Sequence, residues 1–167
     1  MNSEPGLIRR LYRSGALMVF CRLAIGLLFV YMGFKKAMDP VTFLKLVREY
    51  EMFPDNIWWL LNFTVATLPW VEILCGLLLL LGIAHRGTAL LVMVMLSVFT
   101  PMIWLRGLGI HDAEHIPFCR IIFDCGCGAG PVNFCWKMAE NIALFLAAAL
   151  ILFSRIHRFY LRVEFVR

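Results

Sequence analysis

Four long apolar runs separated by short charged connections decide what this chain can fold into. A helix crossing bilayer hydrocarbon needs about 20 mostly apolar residues, and Ala16–Phe34, Ile57–Gly82, Gly87–Leu105 and Phe134–Phe153 meet or approach that length. A soluble domain of 167 residues has no interior large enough for them: 62% of the residues are hydrophobic and 16% charged, against about 45–50% apolar in an ordinary globular domain. The expectation is an all-α integral membrane four-helix bundle, a single membrane domain over residues 1–167 embedded in the lipid bilayer. Its net charge of +5 then reports topology and contact with anionic headgroups, with no nucleic-acid partner.

The first run follows Arg9, Arg10 and Arg13 and is longer than the apolar stretch of a cleaved signal peptide, so it reads as an uncleaved span. In the second, Pro69 removes a backbone donor, which predicts a bend around Leu68–Trp70 facing the bundle interior. Between these spans, Asp39 can cap a helix whose first position is Pro40, and Phe43, Leu44, Val47 and Tyr50 recur at helical spacing. Asp39–Phe53 therefore reads as a short interfacial helix. The short Gly82–Gly87 hairpin makes spans two and three antiparallel neighbours. Arg106–Asn133 is the longest connection and is rich in glycine; long connections in compact proteins tend to carry function.

Lysine and arginine outside the spans number eight on the side of the termini and the Gly82–Gly87 hairpin, and six on the other. The positive-inside bias places both termini in the cytoplasm and the Arg106–Asn133 loop outside, as in a bacterial inner membrane. Trp58, Trp59 and Trp136 then mark the outer interface.

Four of the six cysteines, Cys119, Cys125, Cys127 and Cys135, fall within 17 residues, on the side where disulfides persist. Cys125-Gly126-Cys127 is the tightest pair. A disulfide in so short a ring is strained and labile, as an exchanging bond must be. Attack by Cys125 or Cys127 on a partner disulfide, with Cys119 or Cys135 resolving, is one reading; two structural disulfides pinning the loop is another. A third is a metal site using His111 and His115 with the cysteines, although no paired C-x-x-C spacing supports it. Cys21 and Cys75 lie within spans and read as small hydrophobes.

Charges inside the spans are the second constellation, since each costs at least roughly 2.5–3.5 kcal/mol at mid-bilayer. Arg22 lies about 9 Å and Glu72 about 15 Å from the same end by helical rise, within reach of each other, so a pair joining spans one and two is expected. Glu140 lies near the outer face, with Lys137 one turn before it, its expected partner; it is also placed to relay protons to a thiol or a bound quinone. Gly26, Gly33, Cys75 and Gly76 are small enough for close helix approach.

Arg22 with Gly26, Gly33-Phe34-Lys35-Lys36, Phe53-Pro54, Leu68-Pro69-Trp70-Val71-Glu72, Gly76, Cys125-Gly126-Cys127-Gly128 and Glu140-Asn141 together resemble the DoxX/MauE-like membrane proteins, from about Arg22 to Leu152. The resemblance implies a four-helix membrane bundle with a part in thiol redox chemistry. For the MauE branch it implies a thioredoxin-like partner in the maturation of disulfide-containing proteins, and for the DoxX branch a link to quinone. The chain departs from the pattern at Gly128, where an aromatic is usual, and in carrying Cys119, Cys135, His111 and His115.

No haem-attachment, dinucleotide or phosphate-loop motif is present, so membrane quinone is the one cofactor in view. Its ring is expected near the Pro69 bend, against Trp70, with Glu72 or Glu140 exchanging protons. The leading expectation is a membrane thiol–disulfide redox protein. The competing one is a non-catalytic membrane subunit or assembly factor.

Overall fold

The computed structural model describes residues 16–49, 58–126 and 130–154. Over these the chain forms α1 (Ala16–Met38), α2 (Pro40–Glu49), α3 (Trp58–Leu81), α4 (His85–Glu114), a 3-10 turn (Phe118–Arg120), β1 (Ile122–Asp124), β2 (Pro131–Asn133) and α5 (Phe134–Phe153). The long helices α1, α3, α4 and α5 are each apolar and long enough to cross a membrane. They close into a ring in which α1 packs on α3 and α5, and α4 on α3 and α5. Cys21, Ile25, Phe29, Cys75, Leu79, Val92, Leu144 and Ile151 fill its centre. Outward, the same helices expose Phe20, Leu27, Leu74, Val94 and Leu146, a surface that only lipid solvates well. The chain is a membrane protein, as its apolar runs require.

The closest approach is between α1 and α3. A side chain on Gly26 would lie 2.9 Å from the Gly76 carbonyl oxygen, one on Gly76 would lie 2.7 Å from that of Gly26, and one on Gly33 would lie 2.6 Å from that of Pro69. Glycine lets the two backbones touch, the packing device of helices that have no hydrophobic drive to associate in lipid. The contacts also set the antiparallel register, Gly26 against Gly76 and Gly33 against Pro69. α3 stays helical through Pro69, whose side chain is buried.

α2 matches its expected signals. Thr42 N donates to the Asp39 side chain at 3.0 Å, the cap that Asp39-Pro40 predicts, and Phe43 is its buried residue. Arg106 of α4 donates to the Glu49 carbonyl at 3.2 Å and lies 3.6 Å from its carboxylate, which ties the end of α2 to the bundle. Tyr50–Phe53 of the predicted interfacial helix fall outside the described residues.

Two differences from the sequence reading concern the last connection. α4 runs nine residues beyond Leu105, to Glu114, because Ile103, Gly107 and Ile110 continue its inward face against a second small core of Ile121, Phe123 and Phe134. The glycine-rich stretch beyond it, read as loop, contains the antiparallel pair β1–β2, with Phe123 opposite Val132.

Candidate functional site

At the end of the bundle opposite the α3–α4 hairpin, the chain is cross-linked by a disulfide between Cys119 and Cys135. Asn133 caps α5 by accepting from Trp136 N at 3.2 Å and donates to the Cys119 carbonyl at 2.6 Å. Phe118 stacks on Trp104 and His111, with ring centroids 5.7 and 4.4 Å away. Disulfide, cap and stacked rings join the 3-10 turn, the start of α5 and the end of α4. As joined here, Cys119 and Cys135 carry no thiol that could resolve a mixed disulfide.

Cys125 is also disulfide-bonded. It follows β1 and precedes a turn in which Gly126 has φ +68, a left-handed conformation that glycine adopts without strain, and Gly126 N donates to the Asp124 side chain at 2.9 Å. Cys127 lies outside the described residues. His111 Nδ1 is 2.7 Å from the Ile116 carbonyl, and among the described residues no three metal-ligating side chains converge.

Beneath Cys125 and Gly126 an inner cavity of about 100 Å³ opens between the helices. Phe29, Phe43 and Phe99 line it with Met32, Met95 and Met102, and Lys36, Glu72, Lys137 and Asn141 bring polar groups to it. Glu72 does not pair with Arg22, as the sequence reading expected. Lys36 Nζ bonds Glu72 Oε1 at 2.5 Å, with both side chains buried. The physical reason is register: with Gly26 against Gly76, Arg22 stands opposite the last turn of α3, where its Nε donates to the Leu79 carbonyl at 3.2 Å. Its guanidinium fills the place a side chain on Gly82 would take. Glu72 lies two turns away, facing the C-terminal end of α1.

Lys36 belongs to the inward face of α1, continuing Ile25, Phe29 and Gly33 at helical spacing; counting it as a loop cation hid it. Its ammonium lies 5.3 Å from the Phe43 ring centroid and 5.7 Å from that of Phe99, positions where ring faces stabilise a cation. From α5, Lys137 bonds Glu140 at 3.1 Å, as expected, and Asn141 donates to Thr100 Oγ1 at 3.3 Å. Among the described residues, Glu72 Oε2 is the exception, a buried oxygen with no hydrogen-bond partner.

Of the residues expected at a cofactor, Glu72 lines this cavity. Glu140 reaches it only through Lys137, and Trp70 is on the outward face of α3, 66% exposed. A second, more open cavity of about 360 Å³ lies between α2 and the β1–β2 turn, lined by Lys35, Asp39, Thr42, Asp124 and Gly130. Lys36, Phe43 and Gly126 line both cavities and form the wall between them.

Comparison with curated proteins and with solved structures gives no match. Residues 14–154, which span all four membrane helices and the cysteine loop, match the family model described as methylamine utilisation protein MauE, and the chain therefore belongs to the MauE family.

Proposed function

We propose that the chain is a membrane thiol–disulfide redox protein that exchanges electrons with a thioredoxin-like partner outside the cytoplasm and is linked to membrane quinone. The observation that carries this reading is the position of the disulfide-bonded Cys125 on the wall of a buried, charged cavity, with its neighbours Asp124 and Gly126 lining the second, more open one. Cys125 and Cys127 are the exchanging couple. A partner thiolate attacks one of their sulfurs, forming a mixed disulfide while the electron pair of the broken S–S bond leaves on the other. A second partner thiolate then resolves the mixed disulfide, so that one dithiol is oxidised as the other is reduced.

The proposed orientation keeps both termini in the cytoplasm of a bacterial inner membrane. Lys36 lies within the bundle, so the outer-side cations fall from six to five, against eight on the other side. The Cys119–Cys135 link favours the competing structural reading for that pair alone, as a clamp on the platform that carries Cys125.

Incubating the oxidised protein with reduced thioredoxin as a stand-in partner, followed by acid trapping and alkylation, tests the proposal. With a reduced thioredoxin whose resolving cysteine is replaced by serine, the wild-type protein should accumulate a mixed disulfide, and Cys125→Ser/Cys127→Ser, which offers no disulfide for the thiolate to attack, should not. A Cys125 that stays oxidised throughout, together with a loss of folded protein in Cys125→Ser as large as in Cys119→Ser, would overturn it in favour of a structural assembly factor.

A further inference from the structure

Cys125 stands between two unlike charge environments. Outward, the groove that Gly126 lines carries Lys35, Asp39 and the adjacent Asp124, and the Asp124 carboxylate already accepts from Gly126 N at 2.9 Å. Inward, Cys125 lines a cavity with Lys36, Lys137 and Asn141 against the single carboxylate of Glu72. Phe43 joins the two sides. The Lys36 ammonium lies 5.3 Å from its ring centroid, and a side chain on Gly126 would lie 3.7 Å from its Cε2, so Lys36 and the residue next to Cys125 rest on one ring.

The inner wall holds more donors than acceptors. An ammonium has three N–H groups, and among the described residues that of Lys36 makes one hydrogen bond, to Glu72 Oε1, and that of Lys137 makes one, to Glu140. Both lysine side chains are buried. Against the N–H groups left over stands one unmatched acceptor, Glu72 Oε2. Buried donors on a charged group are costly until an anion or a strong acceptor meets them. In the oxidised protein Cys125 offers neither, because a disulfide sulfur is neutral and accepts weakly. Opening the disulfide creates the anion.

We infer that Cys125 is the leaving sulfur of the exchanging couple, its thiolate received by the surplus N–H groups of Lys36 and Lys137, with Glu72 a positioning residue that holds Lys36. The inference rests on the redox reading above and deepens it by assigning the order of attack. The incoming partner thiolate forms its bond to the cysteine joined to Cys125. The Cys125 S–S bond breaks, and its electron pair leaves on Cys125 Sγ. No proton moves in that step, and the charge lands where donors await it. In the reverse direction Cys125 is the thiolate that resolves the mixed disulfide. A thiolate beside ammonium groups, with little water to compete, is a better leaving group than one in solution. The charged and titratable groups facing Cys125 are Lys36 from α1, Glu72 from α3 and Lys137 from α5 on the inner side, and Asp124, Asp39 and Lys35 on the outer. Among the described residues α2 and α4 contribute none to either lining.

Two measurements on the full chain in lipid nanodiscs test this. In the first, the oxidised protein is mixed with reduced thioredoxin whose resolving cysteine is replaced by serine, quenched in acid at early times, and the joined peptides are located by mass spectrometry. The mixed disulfide should lie on the cysteine that had been bonded to Cys125, with Cys125 itself recovered as a thiol. In the second, iodoacetamide labelling of Cys125 in the reduced protein should reach half its plateau rate at a pH below the roughly 8.5 of an ordinary thiol. Lys137→Gln should raise that midpoint by about one unit or more and slow exchange about threefold or more, since a poorer leaving group departs more slowly. Lys36→Gln/Glu72→Gln, which removes a donor without stranding a charge, should act in the same direction. The exposed Lys45 is the control, and Lys45→Gln should change neither reading.

A mixed disulfide on Cys125, or a midpoint in the ordinary thiol range that none of the lysine variants moves, overturns this inference and leaves the redox reading standing; the surplus N–H groups then hold only water. A midpoint that Lys45→Gln shifts as far as Lys137→Gln also overturns it, as an effect of the whole surface charge. A low, lysine-dependent midpoint in a protein that forms no mixed disulfide keeps the donor site and removes the thiol-exchange reading.

Discussion

Replacing either member of the Lys36–Glu72 pair by leucine strands the other in a place with almost no water, since the side chains are 7% and 6% exposed. Removing one partner of a buried ion pair costs about 3–5 kcal/mol, whereas replacing both with apolar groups is often close to neutral. The surroundings shape both numbers. Without Glu72, the Lys36 ammonium keeps the Phe43 and Phe99 ring faces, worth about 0.5–2 kcal/mol, so Glu72→Leu should fall at the lower end of the range. Without Lys36, Glu72 loses the bond to Oε1 while Oε2 already has none, so Lys36→Leu should fall at the upper end. The double variant should lie within about 2 kcal/mol of wild type, leaving a coupling energy of several kcal/mol. Reversible denaturant unfolding of all four proteins in one detergent, followed by circular dichroism, measures the cycle. Arg106 and Glu49, at 3.6 Å and with side chains 37% and 60% exposed, provide the contrast: an exposed pair couples by about 1 kcal/mol or less. Single-variant effects at Lys36 and Glu72 that add to within about 0.5 kcal/mol would refute the argument.

Cys119→Ser should lower stability by about 3 kcal/mol, because the bond to Cys135 closes a loop with a sequence separation of 16, and should leave thiol exchange at Cys125 intact; chemical unfolding and the alkylation assay read the two effects. Gly76→Leu should destabilise by about 1–3 kcal/mol or more by forcing α1 from α3, and an unchanged unfolding midpoint would show that the glycine contact is not tight. The hydrogen bond from Thr42 N holds the Asp39 carboxyl below its usual range. Its contribution to α2 is therefore complete above the ordinary carboxylate pKa and is lost as pH falls through the depressed native value. The protection factors of the Thr42 and Phe43 amides, which correct for the acid slowing of intrinsic exchange, should fall at acid pH in the wild type and at neutral pH in Asp39→Ala, and should hold at both in Asp39→Asn, which caps without titrating.

The spans, the capped interfacial helix and the family are legible in one dimension. A bilayer demands an uninterrupted apolar run for each crossing, and α5 spans the predicted residues, while α3 ends one residue before the predicted Gly82. The Asp39-Pro40 cap and the recurrence of Phe43 and Val47 are likewise local. Partnership is a different kind of fact. Depth measured from helix ends made Arg22 and Glu72 plausible neighbours, but the register set where Gly26 meets Gly76 brings Lys36 to Glu72 and Arg22 to Leu79. Helix length is also decided in three dimensions where a polar stretch is rescued by contacts, as α4 is beyond Leu105 by Phe134 and Phe118. The cysteines show the same division: their clustering in a glycine-rich loop is sequence, whereas the joining of Cys119 to Cys135, and the placement of Cys125 above a cavity holding Glu72, require helices distant in the chain to be packed side by side. Local signals specify each element because they act between residues three or four apart; the site is built from α1, α3, α5 and the cysteine loop, and only their packing brings those side chains together.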